Sequence, residues 1–257
     1  MIDYCQLQTS QGVVRGTIHN SSLLEKSNVF VLLLHGYLSS NRIGPNRLYY
    51  RLANALANVL NIPVVRFDCY GMGESDGDLN KITFSDFIQS YISIINHYLD
   101  EHEHLKILLV GHCIGANIAT ELAILYPSNI IGAVFISPSL TDEDSLNKVF
   151  TNEQLCELKA SGHTVRKGIT VNSSFIFEQN LAENVISRIV SLSCRWYLIV
   201  GNRDEFFNYT HIKKRFSSTN IVEIDNADHN YLGQDESSLF IEVCANCLSE
   251  ILNETKN

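Results

Sequence analysis

The chain contains no apolar run approaching the roughly 20 residues that a bilayer span requires. Its start, Met1-Ile2-Asp3-Tyr4, has neither the basic residues nor the apolar stretch of a secretory leader. Positive charge is scarce: 19 Lys and Arg stand against 28 Asp and Glu, for a net charge of -9. Neither nucleic acid nor an anionic membrane is attracted to such a surface, so both are excluded as main partners. The one compact basic run, Lys213-Lys214-Arg215, reads as one face of a helix. A Gly-rich phosphate cradle and a dinucleotide fingerprint are both missing, and no cofactor is expected. Seven cysteines, an odd number scattered without a regular framework, fit a reducing compartment better than a disulfide scaffold. The expected location is therefore cytoplasmic. There is no internal repeat and no low-complexity tract.

What remains is a globular composition, 257 residues with 45% apolar and 18% charged, long enough for one large α/β domain. Its centre of organisation is Gly111-His112-Cys113-Ile114-Gly115. The apolar run Lys106 to Val110 precedes it, and Ile114, Ile118, Leu122 and Leu125 follow at helical spacing up to Tyr126. That is a strand, a sharp turn and a helix. Glycines two residues either side of Cys113 allow a bend tight enough to push one side chain out at the top of a sheet, the arrangement called a nucleophile elbow.

Around this centre the chain alternates. Tyr4 to His19, broken at Ser10-Gln11-Gly12, reads as an antiparallel hairpin at the sheet edge. Val29 to Leu34 is a doubly buried strand ending in His35-Gly36-Tyr37. A helix over Asn46 to Leu60 and a strand over Val64 to Asp68 follow. Thr83 and Asp86 form a capping box for a long helix through Leu99. Ile131 to Ser137 is the next buried strand. From Leu140 to about Leu192 the rhythm fails; an unstructured loop of that length is improbable inside a compact domain. The sheet resumes at Arg195 to Val200, with a helix expected around Thr210 to Phe216. A last strand at Ile221 to Ile224 and an amphipathic helix from Ser237 to Leu252 complete the chain.

From Phe30 to about Leu252 the sequence resembles the α/β-hydrolase family. That resemblance implies a mostly parallel central sheet with helices on both faces and a small helical cap. It divides the chain into a core of residues 1–139 and 193–257 and a cap or lid of residues 140–192. Family members usually carry serine where this chain has Cys113; a minority, among them proteins similar to dienelactone hydrolases and polyhydroxyalkanoate synthases, carry cysteine. The family order of nucleophile, acid and histidine falls on Cys113, Asp204 and His229, each in a loop after a strand. Glu205, Asp225 and Asp228 are the competing acids. The resemblance assigns the oxyanion donors to the backbone amides of Ile114 and Tyr37, with Leu38 the alternative to Tyr37. His35 reads as a residue shaping that loop.

A cysteine at a helix start with an imidazole nearby favours thiolate, with histidine as acid and base and Asp204 holding its tautomer. Three other patterns carry less. Gly73-Glu74-Ser75-Asp76-Gly77 fits Gly-x-Ser-x-Gly literally, but no apolar helix follows it, so Ser75 is read as a loop residue. Cys244-Ala245-Asn246-Cys247 lies inside a helix without a second pair and reads as core, so no metal site is expected. His102-Glu103-His104 is a solvated helix end. The expected activity is acyl hydrolysis of an ester or thioester, from a small-molecule or carrier-bound acyl substrate. The alternatives are a biosynthetic acyltransferase or condensing enzyme using the same acyl-enzyme, and a non-catalytic binding protein. Cys113 is either the chain's own nucleophile or a replacement for serine.

Overall fold

Apolar runs persist as strands where both faces of a sheet are covered. The computed structural model, which describes residues 1–37, 41–102, 104–140, 143–177, 185–207 and 220–255, shows how this chain covers them. In order come β1 (Ile2–Gln8), β2 (Val13–His19), β3 (Val29–Leu34), α1 (Leu48–Leu60), β4 (Val64–Phe67) and α2 (Phe84–Glu101). Then follow β5 (Lys106–His112), α3 (Ile114–Leu125) and β6 (Ile130–Ile136). The next stretch holds α4 (Glu143–Val149), α5 (Asn152–Ser161), β7 (His163–Arg166), β8 (Ile169–Asn172), α6 (Ser173–Phe177) and α7 (Val185–Val190). The chain closes with β9 (Arg195–Gly201), β10 (Ile221–Ile224) and α8 (Gln234–Glu254).

The main sheet has eight strands in the order β1-β2-β4-β3-β5-β6-β9-β10. The β1-β2 and β2-β4 pairs are antiparallel and the remainder parallel. Alternation along each strand divides the interior in two. Phe30, Leu32 and Leu34 of β3, with Ile107 and Leu109 of β5, meet α2, α3 and α7 on one face. Val31, Leu33, Leu108 and Val110 meet α1 and α8 on the other. Every functional loop of the parallel strands leaves the sheet at the same edge, the carboxyl ends of β3, β5, β9 and β10.

Local chemistry sets the helix ends. Thr83 and Asp86 make the reciprocal capping box of α2, and Thr151 and Gln154 make that of α5. α1 begins at Leu48 rather than Asn46, because Asn46 and Arg47 hold left-handed backbones with φ of 45° and 58°. Between β6 and β9 the structure adds a β7-β8 hairpin to the expected helices. Its two-residue turn, Lys167-Gly168, has positive φ at both positions, 51° and 78°, as a type I′ turn requires. Asn172 Nδ2 donates to the carbonyls of Asn80 and Ile82, both at 3.1 Å, tying the hairpin to the loop before α2. Phe150, Leu158, Val171 and Ile176 form a small core of this segment. The helix expected around Thr210 to Phe216, with its basic run, lies outside the described residues, as do Leu38 and Glu103. Among the described residues no helix is long and apolar enough to cross a membrane.

Candidate active site

The turn from β5 into α3 is as tight as its glycines demand. A Cβ on Gly111 would stand 2.3 Å from the carbonyl oxygen of Gly115, and one on Gly115 would stand 2.4 Å from that of Leu34. Helix α3 thus begins directly against the end of β3, which brings the His35-Gly36-Tyr37 loop up to the turn. Cys113 at the apex holds φ 55° and ψ -122°, a backbone conformation unusual for any side chain larger than glycine. Hydrogen bonds fix it there: its N–H donates to Ile136 O at 2.9 Å, and its carbonyl accepts from Ala116 N at 3.0 Å and Ser139 N at 3.3 Å.

Asp204 follows β9 and His229 follows β10, so adjacent parallel strands deliver both to this apex. His229 Nδ1 lies 2.8 Å from Asp204 Oδ2. The other carboxylate oxygen, Oδ1, accepts from the N–H groups of Phe206 at 2.9 Å and Phe207 at 3.0 Å. With Nδ1 committed to Asp204, the ring turns Nε2 toward Cys113, with which it also hydrogen-bonds. Burial opposes charge on the ring, but attraction to Cys113 and the hydrogen bond with Asp204 prevail and raise its pKa from 6.5 to about 10. For Asp204, burial opposes ionisation; hydrogen bonds from His229 and Ser137 overcome this and hold the carboxyl below 3.8.

One contributor was not foreseen in the sequence. His112, buried, places Nε2 2.8 Å from His229 O and Nδ1 2.6 Å from Tyr49 Oη. A carbonyl only accepts, so Nε2 carries the hydrogen and Nδ1 accepts from the phenol. Tyr49 Oη in turn accepts from Gly36 N at 3.2 Å. Burial first, then repulsion from His229, lower the His112 pKa to about 3, so the ring is neutral. One polar chain thus links the loop after β3 to the backbone of His229. The available sequence signal was a histidine at the end of an otherwise apolar strand.

The other expected residues fall as follows. Tyr37 and Ile114 line the same cavity as Cys113 and His229. The competing acids are turned to other tasks: Asp225 accepts from Asn202 Nδ2 at 2.8 Å, Asp228 accepts from the Asn230 and Leu232 amides, and Glu205 is exposed. His35 is buried, with Nδ1 on Gly36 O and Nε2 accepting from Cys69 N, and shapes its loop. Ser75 accepts from Arg15 N and donates to Asp68 O, away from the cavity. Cys244 and Cys247 are buried in α8 against the core. Among the described residues no three His, Cys, Asp or Glu gather as metal ligands would.

The cavity offers about 180 Å³. Cys113, His229 and Phe206 line it, together with Leu146, Phe150 and Val171 of the segment between β6 and β9.

Comparison with known proteins places the fold and the family. No curated protein sequence matches the chain. Among solved structures, the α/β hydrolase domain-containing protein 10 of mouse is similar at TM-score 0.70 and 20% identity, over 97% of this chain and 99% of that one. Est1E of Butyrivibrio proteoclasticus, solved with ferulic acid bound, is similar at TM-score 0.75 and 14% identity, over 97% and 99%. An esterase of Pyrococcus furiosus is similar at TM-score 0.67 and 17% identity, over 97% and 91%. These likenesses are of fold. The sequence model of the Hydrolase_4 family, described as serine aminopeptidase S33, matches residues 25–188, more than half of the chain, which therefore belongs to that family of α/β-hydrolases.

Proposed function

We propose that the chain is an acyl hydrolase of esters or thioesters that works through a covalent Cys113 acyl-enzyme. The observation that carries this reading is the buried His229, 2.8 Å from Asp204 on one edge and in contact with Cys113 on the other, at a strand-to-helix turn. Cys113 Sγ attacks the acyl carbon, and the carbonyl electron pair moves to oxygen, where the amides of Tyr37 and Ile114 receive it. Collapse restores the carbonyl, and the leaving oxygen or sulfur departs with a proton from His229. A water then gives its proton to His229 as it attacks the thioester, and the second collapse frees the acid and returns the sulfur. Asp204 holds the ring in the Nδ1–H tautomer throughout. Residues 140–192 act as a cap over the acyl pocket.

The matched family is named for aminopeptidases, yet a sulfur nucleophile favours other substrates. From a tetrahedral intermediate thiolate leaves more readily than an unprotonated amine, so an amide tends to revert where an ester or thioester proceeds. Acyl transfer is the second reading, supported by the apolar side chains of Leu146, Phe150 and Val171 in the same cavity as Cys113, a lining that disfavours water. The test is intact mass after brief exposure to aryl esters and acyl thioesters, beside Cys113→Ala and Cys113→Ser. An acyl adduct present on the wild type and absent from Cys113→Ala is the expected result. Hydrolysis of that adduct faster than its capture by added amine or thiol supports the hydrolase, and the reverse supports the transferase. A binding protein forms no adduct, and a Cys113→Ser variant far more active than the wild type points to a serine ancestor.

A further inference from the structure

Two cations face the cavity from the turn of the β7-β8 hairpin, Arg166 and Lys167, in a chain of net charge -9. Arg166 is half-buried among apolar side chains. Its Nε donates to Val149 O at 2.8 Å, and its guanidinium lies over the Phe150 ring, 5.8 Å from the centroid. Those two contacts hold the planar group in place but use only one of its five N–H bonds. Among the described residues neither Arg166 nor Lys167 forms an ion pair. Arg42 and Arg188, also largely sheltered, face Asp68 and Glu121. Burial alone lowers the Arg166 pKa, with no carboxylate opposing it.

A half-buried cation with no counter-charge among the described residues gains from an anion that approaches it. The fork of Nη groups, without a hydrogen-bond partner among the described residues, suits two oxygens of one anion, and the aromatic ring under it orients the plane. Lys167, first in the type I′ turn, adds a second positive charge at the same wall.

We propose that the substrate of the Cys113 site carries an anionic group, a carboxylate or phosphate, which docks on the Arg166 guanidinium while the acyl carbon lies at Cys113. This rests on the acyl-enzyme reading above and adds the class of acyl substrate that the pocket selects. The apolar side chains that line the same cavity, Leu146, Phe150 and Val171 among them, take the hydrocarbon part. The anion belongs either to the far end of the acyl group, as in a half-ester of a dicarboxylic acid, or to the leaving group, as in a phosphate-bearing carrier thiol.

Two matched pairs separate these sources. The first is the 4-nitrophenyl ester of butyrate against the mono-4-nitrophenyl ester of succinate. The second is the butyryl thioester of pantetheine against that of phosphopantetheine. The rate of adduct formation on Cys113 is read by mass. The expected result is a preference of about ten- to a hundredfold for the anionic member of one pair, the range of a charge-assisted contact. High salt weakens that preference, Arg166→Gln reduces it to near unity, and Arg166→Lys restores part of it. A response in the succinate pair assigns the anion to the acyl end, and one in the phosphopantetheine pair assigns it to the leaving group. Ratios near unity in the wild type for both pairs overturn the proposal and leave the acyl-enzyme standing. If no ester acylates Cys113, the same question is read by calorimetry on Cys113→Ala, with monomethyl succinate against methyl butyrate and phosphopantetheine against pantetheine. A preference for an anion that disappears in Cys113→Ala/Arg166→Gln supports the docking site, and equal binding overturns it.

Discussion

Cys113 holds a backbone shape that costs on the order of 1–3 kcal/mol for a residue with a Cβ. Glycine escapes that cost but loses about 0.4–1 kcal/mol to the greater freedom of its unfolded chain. Strain is the larger quantity, so Cys113→Gly is expected to melt above Cys113→Ala, which keeps the Cβ. Calorimetric scans of the two variants decide it, and a Cys113→Gly that melts lower refutes the strain. His229 offers a second test at this scale. Its pKa stands at about 10 because attraction to Cys113 and Asp204 outweighs burial, so the ring stays protonated from its ordinary 6.5 up to that value. Removing the sulfur in Cys113→Ala removes the foremost raising influence. The ring then titrates well below 10, and at pH 9 its proton NMR signals shift from the imidazolium to the neutral position. Signals that do not move show that Asp204 alone sustains the charge.

Among the elements, α2 is a helix whose start is set by four residues. Thr83 Oγ1 accepts from Asp86 N at 3.1 Å, and Asp86 Oδ2 accepts from Thr83 N at 2.8 Å. Thr83→Ala removes one arm of that exchange and should cost about 1 kcal/mol, a fall in Tm of roughly 2–4 °C for a chain of this size. An unchanged Tm means the packing of Phe87 and Tyr91 holds the end without its cap. This cap was legible in the sequence because both partners lie within one turn, and the elbow at Cys113 was legible for the same reason. The β7-β8 hairpin was not. Strands of four residues are too short to display a period of two, and Lys167-Gly168 lacks the Asn or Asp that usually marks such a turn. The backbone reversal at Asn46-Arg47 has no local signature either. His112 shows the limit most plainly: its partners Tyr49 and His229 are 63 and 117 residues away, and only the folded sheet brings them together. Asp204 is intermediate. Chain order alone preferred it to Glu205, Asp225 and Asp228, and the 2.8 Å separation from His229 Nδ1 is a relation that no local pattern displays.

On the scale of the whole molecule, a sheet between two apolar layers explains why nearly all strands were readable and why their centres tolerate little change. Leu32, fully buried in β3, packs with Phe30, Ile107 and Leu109 beneath α2 and α3. Leu32→Ala is expected to cost about 2–5 kcal/mol, seen as a lower urea midpoint with the slope retained. A loss under 1 kcal/mol indicates that the neighbouring helices close over the gap.

The same layers sort the sulfur. Burial raises the thiols of Cys5 and Cys247 to about 12, raises that of Cys194, and raises those of Cys69 and Cys244 well above the ordinary range. Cys113 lines the cavity and Cys156 is exposed on the surface, so an oxidant can reach both. Oxidative damage should therefore have an order. With Cys113 as the nucleophile proposed above, dilute peroxide is expected to take it to the sulfenic acid while the core stays reduced, so that activity is lost with Tm unchanged and returns on adding a thiol reductant. A chain that unfolds before it loses activity has its oxidisable sulfur elsewhere. On the proposed Cys113 chemistry the fold resists an oxidant better than the reaction it supports, and inactivation comes before denaturation.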